Sequence, residues 1–178
     1  MTADILNLLN QAAAKYGLPP AVVVAQAEQE SGGNQYDSSG NVLTSPAGAM
    51  GVMQLEPSTA AQLGVDPTDT GQNIDGGVHY LAMLVKEFGD LQLALAAYDW
   101  GPGHVQRNGF QNWPQETINY VASILKKAGV GVGEAIGGGG GGIEPGAPGA
   151  PPSEAGFSFL ELAVIIAGVA IVLYVVSS

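Results

Sequence analysis

The sequence predicts a mainly α-helical, compact domain over residues 1–128, a flexible Gly/Pro-rich linker over 129–156, and one C-terminal transmembrane helix over 157–176. Three observations predict this. Up to Lys126, apolar residues recur at three- and four-residue spacing between Gly and Pro stops, and no stretch alternates long enough for a strand. Beyond Ala128 the composition turns abruptly to glycine and proline. The chain then closes on an apolar run of helical-span length.

The elements follow in order. Ile5, Leu6, Leu8, Leu9, Ala12 and Ala13 suit one face of a first helix, which Gly17 stops. Pro19-Pro20 suits the start of a second helix, from Ala21 to about Glu30, and Ser31-Gly32-Gly33-Asn34 ends it. Residues 35–49 are rich in turn formers. Pro57-Ser58 opens a short helix that stops at Gly64. Ile74, Val78, Leu81 and Val85 mark an amphipathic helix over about 72–88, ending at Gly89. Asp90 can cap the next, Leu91 to Tyr98. Pro114 suits the first position of the last domain helix, with Ile118, Val121, Ile124 and Leu125 inward.

The linker contains six consecutive glycines, Gly137 to Gly142, then Pro145, Pro148, Pro151 and Pro152. Almost nothing there is large and apolar enough to offset chain entropy. Phe157 to Val176 is about 30 Å long as a helix, near the thickness of a bilayer core. Glu161 belongs near the interface, where a carboxylate costs less than at the bilayer centre.

Composition excludes several functions. Sixteen acids against five bases give a net charge of −11, with no basic run, so nucleic acid is excluded as the main partner. The absence of cysteine excludes disulfides, thiolate metal sites and cysteine nucleophiles. His79 and His104 have no partner at metal-ligand spacing and read as ordinary surface or half-buried residues. No metal and no cofactor are expected.

Four blocks in fixed order carry the chemistry: Glu30-Ser31-Gly32, Gly48-Ala49-Met50-Gly51-Val52-Met53-Gln54-Leu55, Ala97-Tyr98-Asp99-Trp100-Gly101-Pro102-Gly103, and Glu116-Thr117-Ile118-Asn119-Tyr120-Val121. A carboxyl at a helix end, facing Met, Tyr and small residues, is partly desolvated. Its pKa rises, and it can serve as general acid and then as base. Gln54 and Tyr98 can hydrogen-bond a polar substrate, and the glycines permit tight turns and close backbone approach. Glu28 falls on another face and reads as solvated; Trp100 and Trp113 suit either packing or stacking on a sugar.

From about Ala21 to Leu125 these blocks resemble the soluble-type lytic transglycosylases of the lysozyme superfamily, relatives of goose-type lysozyme. The resemblance implies a lysozyme-like fold and peptidoglycan glycan strands as substrate. It implies cleavage of the β-1,4 bond between N-acetylmuramic acid and N-acetylglucosamine, with a 1,6-anhydro product. It makes Glu30 the catalytic residue, and maps Ser31, Met53, Gln54, Tyr98 and Tyr120 onto positions that orient Glu30 or contact sugar. Two departures stand out. Asp99 occupies a position where the family usually has Asn; it can raise the pKa of Glu30 or serve as a second carboxylate. The loop from Gln35 to Pro46 is longer than usual and carries Asp37, in a region where goose-type lysozymes hold hydrolytic carboxylates. A hydrolytic muramidase of the same fold therefore stays open, as does a non-enzymatic glycan-binding or structural role.

The start, Met1-Thr2-Ala3-Asp4, does not read as an export signal. An acidic domain anchored by a C-terminal helix, with its substrate outside the cell, suggests carriage in the internal membrane of a phage virion and local wall opening at infection. A bacterial envelope machine for secretion is the alternative. Virion or secretion-machine proteins are then the expected partners besides the membrane.

Overall fold

Thr2 opens the first helix of the computed structural model, which describes residues 1–130. The expected linker beyond residue 130 and the expected C-terminal helix lie outside the described residues. Helix α1 runs Ala3–Tyr16, with Thr2 accepting from the Ile5 amide and Gly17 closing it in the left-handed region. Its buried face is Ile5, Leu9, Ala12 and Ala13. Leu6, expected on that face, is 41% exposed. Its neighbour Ile5 takes the inward direction, and one step along a helix turns a side chain about 100° away.

Six helices follow: α2 (Pro20–Ser31), α3 (Pro57–Leu63), α4 (Thr70–Phe88), α5 (Leu91–Trp100), α6 (Pro102–Asn108) and α7 (Gln115–Lys127). Pro20 and Pro57 start their helices, where a missing N–H costs nothing. Asp69 caps α4 and Asp90 caps α5 through side-chain oxygens. The sequence left α6 unassigned, because its opening, Gly101-Pro102-Gly103, reads as a loop.

Helix α4 packs against α1 and α5; α2 packs against α1 and α7; α5 also meets α6 and α7. Their apolar faces share one core, containing Leu9, Val22, Val23, Met53, Ile74, Leu81, Leu95 and Ile124. Among the described residues, extended pairing is limited to isolated antiparallel bridges, Tyr36 with Val42, Thr44 with Met50 and Met50 with Leu55. These fold the stretch between α2 and α3 into a looped wall beside the end of α2. No helix among the described residues is long and apolar enough to cross a membrane.

Candidate active site

Glu30 stands in the last turn of α2, before Gly32 ends the helix in the left-handed conformation. Its carboxyl is half-buried, and Oε1 accepts a hydrogen bond from the Tyr120 hydroxyl of α7. Burial pushes the Glu30 pKa from 4.5 up to about 7. Donation from Tyr120 pulls it down, and the charge of Asp99 pushes it up. The position also lies at the negative end of the helix, which disfavours a carboxylate. Both protonation states are therefore populated at neutral pH.

Tyr120 is 7% exposed. Behind it, Nε2 of Gln26 donates to the Tyr120 hydroxyl at 3.2 Å. Burial and the neighbouring Glu30 charge hold the Tyr120 phenol well above its ordinary pKa, so it remains a donor. Tyr98, at the end of α5, donates its hydroxyl to the Met53 carbonyl at 2.8 Å. Burial, then the Glu30 charge, raises its pKa as well.

Ser31 ties the helix end to the loop. Its hydroxyl lies 2.8 Å from the Val52 carbonyl and accepts from the Gly33 and Asn34 amides. The Met53 side chain is wholly buried in the core. Its amide donates to Asn73 Oδ1 and its carbonyl accepts from Tyr98, so Met53 sets the depth of the loop through its backbone. Gln54 is half-buried with φ at 46°, a rare conformation for a residue with a Cβ. Its Nε2 donates to the Gly51 carbonyl at 2.9 Å. That bond satisfies one end of the amide.

Asp99 is an exposed residue whose Oδ2 accepts from the Thr117 hydroxyl at 2.7 Å. Partial desolvation raises its pKa, against that hydrogen bond and with help from the Glu116 charge. Its charge reaches Glu30, as the sequence suggested. Asp37 is exposed and fully used locally: Oδ1 accepts from the Ser39 and Asn41 amides, which hold its pKa below 3.8. It lines a groove of about 540 Å³ with Ser31, Asn34, Tyr36, Ser38 and Leu43.

Three buried amides escaped the sequence reading. Gln35 Oε1 accepts from the Val52 amide while its Nε2 donates to the Pro67 and Thr68 carbonyls. Asn73 Nδ2 donates to the Met50 and Pro67 carbonyls. Gln26 backs Tyr120. Isolated polar residues in helical text look solvated, so no signal marks Gln26. Asn73 had one faint cue, its three- and four-residue spacing to the Gly76-Gly77 pair. At Gly77 a Cβ would press into Met53 and lie 3.1 Å from the Tyr98 hydroxyl, so only glycine lets α4 approach the loop this closely. Both histidines stack on aromatics, His79 on Tyr16 and His104 on Trp100. Among the described residues no cluster of His, Asp or Glu is placed to hold a metal ion.

A family model described as the transglycosylase SLT domain matches residues 7–121. A protein of Enterobacteria phage PRD1 called transglycosylase is 38% identical over 122 residues, covering 66% of this chain and 40% of the relative. The membrane-bound lytic murein transglycosylase F of Desulfosudis oleivorans is 36% identical over 107 residues, 56% of this chain and 22% of the relative. Among solved structures, the 70 kDa soluble lytic transglycosylase of Escherichia coli superposes with a TM-score of 0.57 at 26% identity, over 70% of this chain and 23% of that one. The chain thus spans less than half the length of each of these relatives.

Proposed function

The chain belongs to the transglycosylase SLT family, and on that footing we propose that it is a peptidoglycan lytic transglycosylase in which Glu30 is first acid and then base. The observation that carries this is the carboxyl of Glu30, set on Tyr120 at a helix end with its pKa lifted to about 7. As acid, Glu30 protonates the glycosidic oxygen while the C1–O bond between N-acetylmuramic acid and N-acetylglucosamine breaks. As carboxylate, it takes the proton from the muramoyl C6 hydroxyl as that oxygen closes on C1. The product is a 1,6-anhydro ring, and no water is consumed. The substrate's N-acetyl group stabilises the developing charge, so a single protein carboxylate suffices, an exception to the usual pair.

In this reading Tyr120 and Ser31 orient Glu30, Met53 and Tyr98 set the loop against it, and Gln54 Oε1 offers an acceptor to sugar. The groove containing Tyr36 continues the substrate path past Ser31. Residues 1–128 form the catalytic domain, 129–156 tether it, and 157–176 anchor it in a membrane. The phage relative and the apolar C-terminal run support a virion protein that opens the wall locally at infection. The charge of Asp99 favours one competing outcome, hydrolysis with Asp99 as second carboxylate.

The test is lysis of purified peptidoglycan by the full chain beside Glu30→Gln. Removing a general acid costs about 10²-fold or more. Loss on that scale by a folded variant supports the enzyme. An inert parent chain would make this a binding or structural protein.

A further inference from the structure

Tyr36 carries its ring on a braced hairpin in the stretch between α2 and α3. It pairs with Val42 across the turn; the Asp37 amide donates to the Asn41 carbonyl at 2.8 Å, and the Leu43 amide to the Gln35 carbonyl at 2.9 Å. Successive side chains in extended backbone point to opposite faces. Gln35 accordingly points inward, buried, and Tyr36 outward, 50% exposed. Among the described residues no ring stacks on Tyr36, and its hydroxyl has no hydrogen-bond partner.

The hairpin and the end of α2 are fastened to one residue. The Val52 amide donates to Gln35 Oε1 at 3.1 Å, and the Val52 carbonyl lies 2.8 Å from the Ser31 hydroxyl. Tyr36 is thereby held in a set place relative to the helix end that carries Glu30. Ser31 and Tyr36 both line the groove of about 540 Å³, a volume within the range of ligand clefts. Asp37 supplies its one charge, and no cation lines it.

We propose that Tyr36 is a sugar platform: a glycan strand that leaves the Glu30 site along this groove lays the face of one N-acetylhexosamine ring on the Tyr36 ring. This rests on peptidoglycan being the substrate, as proposed above, and adds a binding residue outside the four sequence blocks. The faces of a β-linked pyranose carry axial C–H bonds, whose partial positive charge meets the negative face of an aromatic ring. Asn34 and Ser38, in the same groove, have side chains that can hydrogen-bond the sugar's substituents. Asp37 selects among the parts of the polymer. Its ionised carboxyl repels the carboxylates of a stem peptide and leaves neutral sugar unaffected. Because the hairpin is already braced, little ordering opposes binding.

Binding of the N-acetylglucosamine hexamer, a neutral probe, is measured by calorimetry on the full chain in detergent, with Glu30→Gln present so that nothing is consumed. Adding Tyr36→Ala is expected to weaken binding about tenfold, and Tyr36→Phe in its place to restore it, since the ring makes the contact. On soluble, uncrosslinked glycan strands, Tyr36→Ala with Glu30 intact is expected to raise KM about tenfold with a much smaller fall in kcat. Equal affinity and equal KM in the parent and Tyr36→Ala would overturn the proposal. So would a larger loss of affinity for a free stem peptide than for the hexamer, which would make the groove a peptide site. A parent chain that cleaves the strands while Tyr36→Ala behaves identically sinks this proposal alone. A parent chain that neither cleaves nor binds sinks the reading of function with it.

Discussion

In the unfolded chain Glu30 loses its proton near pH 4.5; in the folded domain it keeps it to about 7. Its folded pKa is raised, so the folded state binds the extra proton between these values. Stability is highest below 4.5 and falls as pH rises towards 7, beyond which the loss is complete. The shift corresponds to about 3 kcal/mol at pH 8. Glu30→Gln is therefore expected to be more stable than the parent at pH 8, by up to about that amount, and nearly equal at pH 4. Denaturant melts at the two pH values check this. Tyr120 recovers part of the cost through its hydrogen bond, and the remainder is stability given up for a carboxyl that can hold a proton at neutral pH.

At the scale of elements, the close approach of α4 to the Met53 loop depends on Gly77. In Gly77→Ala the new methyl would sit 2.7 Å from Met53 Cγ, and the backbone on either side must give. Overpacking of this kind costs about 1–3 kcal/mol. Because Met53 also holds Tyr98, the variant is expected to lose most of its lytic activity before it loses its fold. Circular dichroism melts beside lysis rates measure the two separately. The helices were legible in the text because their signals are local: Gly17, Gly64 and Gly89 stop them and Asp90 caps one. Helix α6 was not, since its seven residues open on Pro-Gly and bury only Val105. Nor were the buried amides that organise the wall. Gln35 and Asn73 act over 17 and 20 residues of separation, and helical periodicity does not encode such contacts. Glu30, Tyr98 and Tyr120 were legible because they sit in recognisable blocks, and the turn formers around Asp37 already suited the local use that the folded turn shows.

At the scale of the whole molecule, the helical domain carries the candidate site, and in the function proposed above the C-terminal run supplies location. The net charge of −11 offers no long-range attraction to an anionic wall, so in that proposal local concentration comes from anchoring. Deleting residues 157–176 is expected to abolish co-sedimentation with phospholipid vesicles while leaving cleavage of isolated peptidoglycan within about twofold. A deletion that still co-sediments would place the membrane contact in the helical domain instead.

The most direct test of the central claim is the mass of the muropeptides that the full chain releases from purified peptidoglycan, with Glu30→Gln as control. Products one water lighter than hydrolytic ones, absent with Glu30→Gln, are the predicted result. Reducing-end products would contradict the single-carboxylate account and turn attention to Asp99, and release that persists in Glu30→Gln would remove Glu30 from the chemistry altogether.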